Sequence, residues 1–157
     1  MTQVAGVSRE WRGVYAGVHG GSKRTSMKEM AWSVALLQWA YRNRCPRRLD
    51  LAQWAAENGR LEVVIWARDN GFPVNEATCA AAASGGHLAV LRWARANGIA
   101  WDEGTCTCAA GNAHLDVLRY ARANGCPWST WTCRNAALNG HQTVLQWAIA
   151  NGCPLVD

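Results

Sequence analysis

The chain has 157 residues, half of them apolar and 17% charged, which suits one compact domain or one short stack of repeats and excludes wholesale disorder. No run approaches the roughly 18 uninterrupted apolar residues of a membrane span, and the first thirty residues hold no apolar secretory core, so a soluble, intracellular protein with no membrane partner is expected. The formal net charge of +5 is uneven: residues 1–50 carry nine Lys/Arg against three Asp/Glu, residues 51–157 seven against eight.

In chain order, residues 1–23 contain Gly6, Gly13, Gly17, Gly20 and Gly21 and read as an irregular or flexible arm. Residues 24–157 form an array: Trp39, Trp66, Trp93, Tyr120 and Trp147 follow one another at a constant step of 27, each within Trp-Ala-x-x-Asn-Gly-x-Pro or a close variant. The units are 24–50, which is degenerate, then 51–77, 78–104, 105–131 and 132–157. A unit of this size cannot bury its own apolar face, so the units must stack.

Each clear unit opens with Thr78-Cys79, Thr105-Cys106 or Thr132-Cys133, where threonine is expected to cap a first helix of about two turns. Paired alanines follow at Ala55-Ala56, Ala82-Ala83, Ala109-Ala110 and Ala136-Ala137 and permit close approach of a neighbouring helix. The first helix should stop at Asn58-Gly59, Gly85-Gly86 or Asn139-Gly140, residue types that tolerate a left-handed backbone; Ala113 would be strained in that conformation. A second helix, expected from His87-Leu88, places Val90, Leu91, Trp93 and Ala94 on one face. Asn97-Gly98, Asn124-Gly125 and Asn151-Gly152 end these helices, and Pro73, Pro127 and Pro154 forbid continuation.

Thr-x-x-x-Ala-Ala-x-x-Gly-His-Leu-x-Val-Leu, followed by a helix ending in Asn-Gly, resembles the ankyrin repeat over about residues 34–157. Ala82-Ala83 matches that family's paired alanines, Gly86-His87-Leu88 the start of its second helix, and Trp101-Asp102 its terminal V-N. The resemblance implies an all-α, ankyrin-like solenoid with shortened hairpin loops, because Gly98 to Thr105 is too short for the family's projecting finger. Short Trp- and Cys-rich arrays of this kind are familiar in large DNA viruses and some protists. The expected location is the cytoplasm, the host's if the source is viral, with the nucleus left open.

Six of the seven cysteines fall on two repeat registers, Cys79/Cys106/Cys133 and Cys45/Cys126/Cys153, and read as reduced, buried small residues. His87, His114 and His141 form a ladder beside the first of these. A ladder does not converge on one point, so metal binding is not expected, nor is a unique Cys/His catalytic pair. No phosphate loop or paired catalytic carboxylates occur, and neither enzymatic activity nor a cofactor is expected. The Trp39/66/93/147 ladder with Tyr120 reads as core, Trp101 and Trp128 as packing between repeats, and Trp54 and Trp131 as the aromatics for an exposed contact.

The resemblance implies non-catalytic protein–protein recognition by first-helix residues. The matching positions here are Gln53, Trp54, Ala81, Cys108, Arg134 and Asn135, joined by Asp102 and Glu103 at the turns. The alternative is a binder of nucleic acid or another acidic surface, through Arg42, Arg44, Arg47 and Arg48 and an outer-face stripe of Arg92, Arg95, Arg119 and Arg122. A pI of about 9.0 and a slightly acidic array weigh against nucleic acid. Ile149 stands where neighbouring units have Arg, which suggests self-association through the C-terminal repeat.

Overall fold

The computed structural model describes residues 50–155 together with Val34, Gln38 and Arg42. The arm 1–23, most of unit 24–50 with Trp39, and Arg44, Arg47 and Arg48 lie outside the described residues. The described residues are all-α: α1 (Leu51–Glu57), α2 (Leu61–Asp69), α3 (Glu76–Ser84), α4 (Leu88–Ala96), α5 (Glu103–Gly111), α6 (Leu115–Ala123), α7 (Thr130–Leu138) and α8 (Gln142–Ala150). Odd-numbered helices are the first helices of successive units and even-numbered ones the second.

The first helices begin three residues earlier than the threonine signal predicts. Asn75, Asp102 and Ser129, all in extended conformation, are the N-caps, and Thr78, Thr105 and Thr132 fall inside the first turn. The threonine signal is real but belongs to the other end of the capping exchange: Thr78 Oγ1 accepts from the Asn75 N–H at 3.3 Å and Thr132 Oγ1 from the Ser129 N–H at 3.4 Å. In the middle unit the Asp102 carboxylate instead accepts from the Gly104 N–H at 3.0 Å, and the buried Thr105 Oγ1 has no partner.

Turns follow the expected chemistry. Gly59, Gly86 and Gly140 after the first helices adopt φ between +68° and +76°, and Ala113, in the same register, adopts +63°. The first-helix layer is continuous, each helix packing on the next through buried Ala82, Ala83, Ala109 and Ala110; the second helices touch one another far less. Val63, Val64, Val90, Leu91, Val117 and Leu118 point inward from the second helices and are buried, each contributing about 1.5–3 kcal/mol.

The tryptophan ladder is less interior than predicted. Trp66 is 8% exposed, but Trp93, Tyr120 and Trp147 are half-buried, packed on the core with one side outward. Their carbonyls are held by the Asn that ends each second helix: Asn70, Asn97 and Asn124 donate to Trp66, Trp93 and Tyr120 at 2.8 Å, and Asn151 to Trp147 at 2.7 Å.

Candidate functional site

The outward sides of those rings are covered by arginine. Arg92 of α4 reaches forward one repeat to sit 5.6 Å from the Tyr120 ring centre, while Arg95, one turn further on, lies 4.5 Å from that of Trp101. Trp101 meets Tyr120 edge-on at 6.3 Å. One repeat later the same four-part cluster recurs: Arg119 over Trp147 at 5.7 Å, Arg122 over Trp128 at 4.1 Å, and Trp128 edge-on to Trp147 at 6.1 Å. Unit 51–77 has Val74 where later units have Trp101 and Trp128, and there Arg68 lies over Trp93 at 5.5 Å. The Arg68–Trp93, Arg92–Tyr120 and Arg119–Trp147 pairs cross from one repeat to the next, whereas Arg95–Trp101 and Arg122–Trp128 each lie within one repeat.

None of these five arginines is held in an ion pair among the described residues. Arg122 donates to the Cys126 carbonyl and Arg68 to Asn97 Oδ1, which fixes both in place. Arg92, Arg95 and Arg119 are exposed, with their N–H donors left to solvent or ligand.

Charge is sorted by layer. The second helices carry Arg68, Arg92, Arg95, Arg119 and Arg122 against Glu62, Asp69 and Asp116. The first helices carry Glu57, Glu76 and Glu103 against Arg134, with Asp50 and Asp102 as N-caps. The near-neutral array is thus two oppositely biased surfaces.

The first-helix candidates do not converge on one site. Gln53, Trp54, Ala81, Cys108 and Asn135 are half-buried. Trp54 packs against the core rather than standing free. Asp102 and Glu103 are exposed at the start of α5, one as N-cap and the other as first helical residue. Arg134 is exposed and lies 4.8 Å over the ring of Trp131, which is itself 52% exposed. Arg42 is exposed.

The histidines clasp neighbouring repeats. His114 Nε2 donates to the Ser84 carbonyl and His141 Nε2 to that of Gly111, both at 3.0 Å and both across thirty residues. Among the described residues no three His, Cys, Asp or Glu are grouped to hold a metal. The cysteines secure loops: Cys79, Cys126 and Cys153 donate to the carbonyls of Ala100, Asp102 and Ser129. Burial pushes the Cys79 thiol up to about 12. Donation to Cys126, and then burial, raises Cys106, and the same hydrogen bond lowers Cys126.

No family model matches the chain, and no curated protein matches it. Among solved structures it is similar to the pentatricopeptide repeat protein PPR10 in complex with an 18-nt psaJ RNA element, at 15% identity and a TM-score of 0.44. A triple Cys-to-Ser variant of that protein, in complex with the same element, is similar at 14% identity and the same TM-score. The match covers 94% of this chain and 28% of PPR10, so the chain spans little more than a quarter of that protein's length. What the two share is a stack of helical repeats; the ankyrin family specifically is not confirmed.

The expectation against a nucleic-acid partner is corrected. It averaged charge along the chain, whereas folding sorts charge across the two layers and gathers the arginines on one of them.

Proposed function

We propose that this helical-repeat array is a non-catalytic binder of single-stranded nucleic acid, engaged through the arginine–aromatic face of its second helices. The observation that carries this is the duplicated cluster, Arg92/Arg95 on Tyr120/Trp101 and Arg119/Arg122 on Trp147/Trp128. A guanidinium resting on a ring loses little freedom when it binds and presents in-plane donors that match a phosphate bidentately. The two clusters recur one repeat apart on adjacent second helices, so they would contact successive parts of one strand. Such contacts are tolerant of sequence, because they address the backbone and base faces rather than base edges. The repeat motifs resemble ankyrin units, and a cytoplasmic location is consistent with reduced, buried cysteines.

The test is fluorescence anisotropy of a labelled 18-nucleotide single strand titrated with protein between 50 and 200 mM salt. Binding should weaken steeply with salt, with a slope of about −0.7 per phosphate contacted. Changing Arg92, Arg95 and Arg119 together to Gln should flatten that slope by about 2 units. Absence of binding at 50 mM salt, or an unaltered slope in the triple variant, rejects the proposal and returns the array to protein recognition by its first helices.

A further inference from the structure

Each arginine–aromatic cluster holds two guanidiniums, and the two are not equivalent. Arg95 lies 4.5 Å from the ring centre of Trp101 and Arg122 4.1 Å from that of Trp128, whereas Arg92 and Arg119 stand 5.6 and 5.7 Å from Tyr120 and Trp147. The close pairs form inside one unit. After α4 and α6 the chain turns at Gly98 and Gly125, with φ of +71° and +80°, and brings Trp101 and Trp128 back against Arg95 and Arg122 in the last turn of each helix. Both tryptophans pack on the core and carry the guanidinium over a ring face. Arg95 is exposed, and the half-buried Arg122 is held by its bond to the Cys126 carbonyl. Unit 51–77 supplies the contrast: Arg68 occupies the register of Arg95, but Val74 stands where the tryptophan would be. Arg68 reaches instead to Trp93 at 5.5 Å and spends a donor on Asn97 Oδ1.

Resting on the reading of this face as a single-strand site, we propose that Arg95 and Arg122 are base platforms, on each of which an unpaired nucleobase stacks. The result is a base–guanidinium–tryptophan sandwich at each position, while Arg92 and Arg119, set further from their rings, hold phosphates. A guanidinium is planar, delocalised and weakly hydrated, so one face can rest on a ring while the other receives a second flat partner. Nucleobases stack on arginine planes as they do on aromatic rings. The ligand class is thereby narrowed to strands whose base faces are open. A polyanion without bases offers nothing to the platforms, and paired bases already stack on one another. Lysine cannot stand in for arginine here, because its ammonium is a compact, strongly hydrated point charge with no plane to stack on.

The test titrates the full chain into two labelled single strands of equal length and equal phosphate number, one bearing bases and one with tetrahydrofuran in place of every base. At low salt, fluorescence anisotropy should show the base-bearing strand bound at least about tenfold more tightly, from stacking on two platforms. Arg95→Lys combined with Arg122→Lys should remove most of that advantage. The same variant should leave the abasic strand's affinity and the salt slope unchanged, because both charges remain. Arg92→Lys combined with Arg119→Lys should leave the ratio between the two strands intact. Equal affinity of the parent protein for both strands overturns the platforms and leaves phosphate-mediated strand binding standing. That comparison needs no variant, so it decides the matter even if a substitution unfolds the protein. A folded Arg95→Lys/Arg122→Lys protein that weakens both strands alike also overturns the platforms, since its arginines would then be serving the backbone. If neither strand binds, the platforms fall together with the single-strand reading.

Discussion

The two helix layers come from one 27-residue unit and solve opposite problems. The first helices, α1, α3, α5 and α7, are short and rich in small residues, and they pack tightly enough that the paired alanines Ala55-Ala56, Ala82-Ala83 and Ala109-Ala110 are fully buried. The second helices, α2, α4, α6 and α8, stand apart, anchor inward through Val and Leu, and fill the outer gaps with rings and arginine. Tight packing of small residues leaves little room for long side chains, so most of the array's arginines lie on the looser layer. One layer makes the stack and the other offers the surface.

The sharpest way to break this comparison is to exchange sizes between layers. Leu118→Ala in α6 should lose about 2–5 kcal/mol by opening a cavity under the second layer, and Ala109→Leu in α5 about 1–3 kcal/mol by overfilling the first. Urea unfolding measures both. An Ala109→Leu protein as stable as the parent would show that the first layer is not close-packed.

Next in size are the turns joining the layers. Gly86→Ala places a Cβ 2.6 Å from the His114 ring at a φ of +76° and should cost at least about 1–2 kcal/mol. Ala113→Gly, at a φ of +63°, should instead gain up to about 1 kcal/mol in the same assay. If both changes prove neutral, the left-handed turn is not a constraint on the stack.

A smaller contrast lies within the first layer. Thr105→Val removes a buried hydroxyl with no partner and should be neutral or stabilising by about 1 kcal/mol. Thr132→Val removes the acceptor of the Ser129 N–H and should be destabilising by about the same amount. Equal effects would mean that capping is not what distinguishes the units.

The least perturbing probe is the half-buried Cys108, whose thiol is raised by burial and then by Asp102 and Glu57. A raised thiol carries less thiolate at a given pH, so at pH 8 its alkylation should run slower than that of a free cysteine and should quicken as pH rises. Unfolding by urea should abolish the difference. Alkylation in the native protein at the rate of free cysteine would show that the first-helix surface is open rather than packed.

Much of the fold was legible because it is local and repeated. The Asn-Gly steps, the paired alanines and the strain at Ala113 follow from backbone preferences that each residue carries with it. The helix starts were misplaced by a local ambiguity, since threonine suits both the N-cap and the first turn that answers it. The histidines were assigned to their own helices because sequence shows what precedes a helix and hides what lies thirty residues back. The candidate site was visible only in pieces. Arg92 and Tyr120 are parts of one cluster separated by a full repeat, and no window of local sequence joins them.

By itself the sequence determined that there is a stack, its period, the order of helices and turns, and the identity of the residues that repeat. Tertiary structure decided which of the two layers each charge belongs to and which rings receive an arginine. The physical reason is that periodicity specifies a residue's place within its unit, whereas electrostatics and recognition depend on neighbours that only stacking brings within reach.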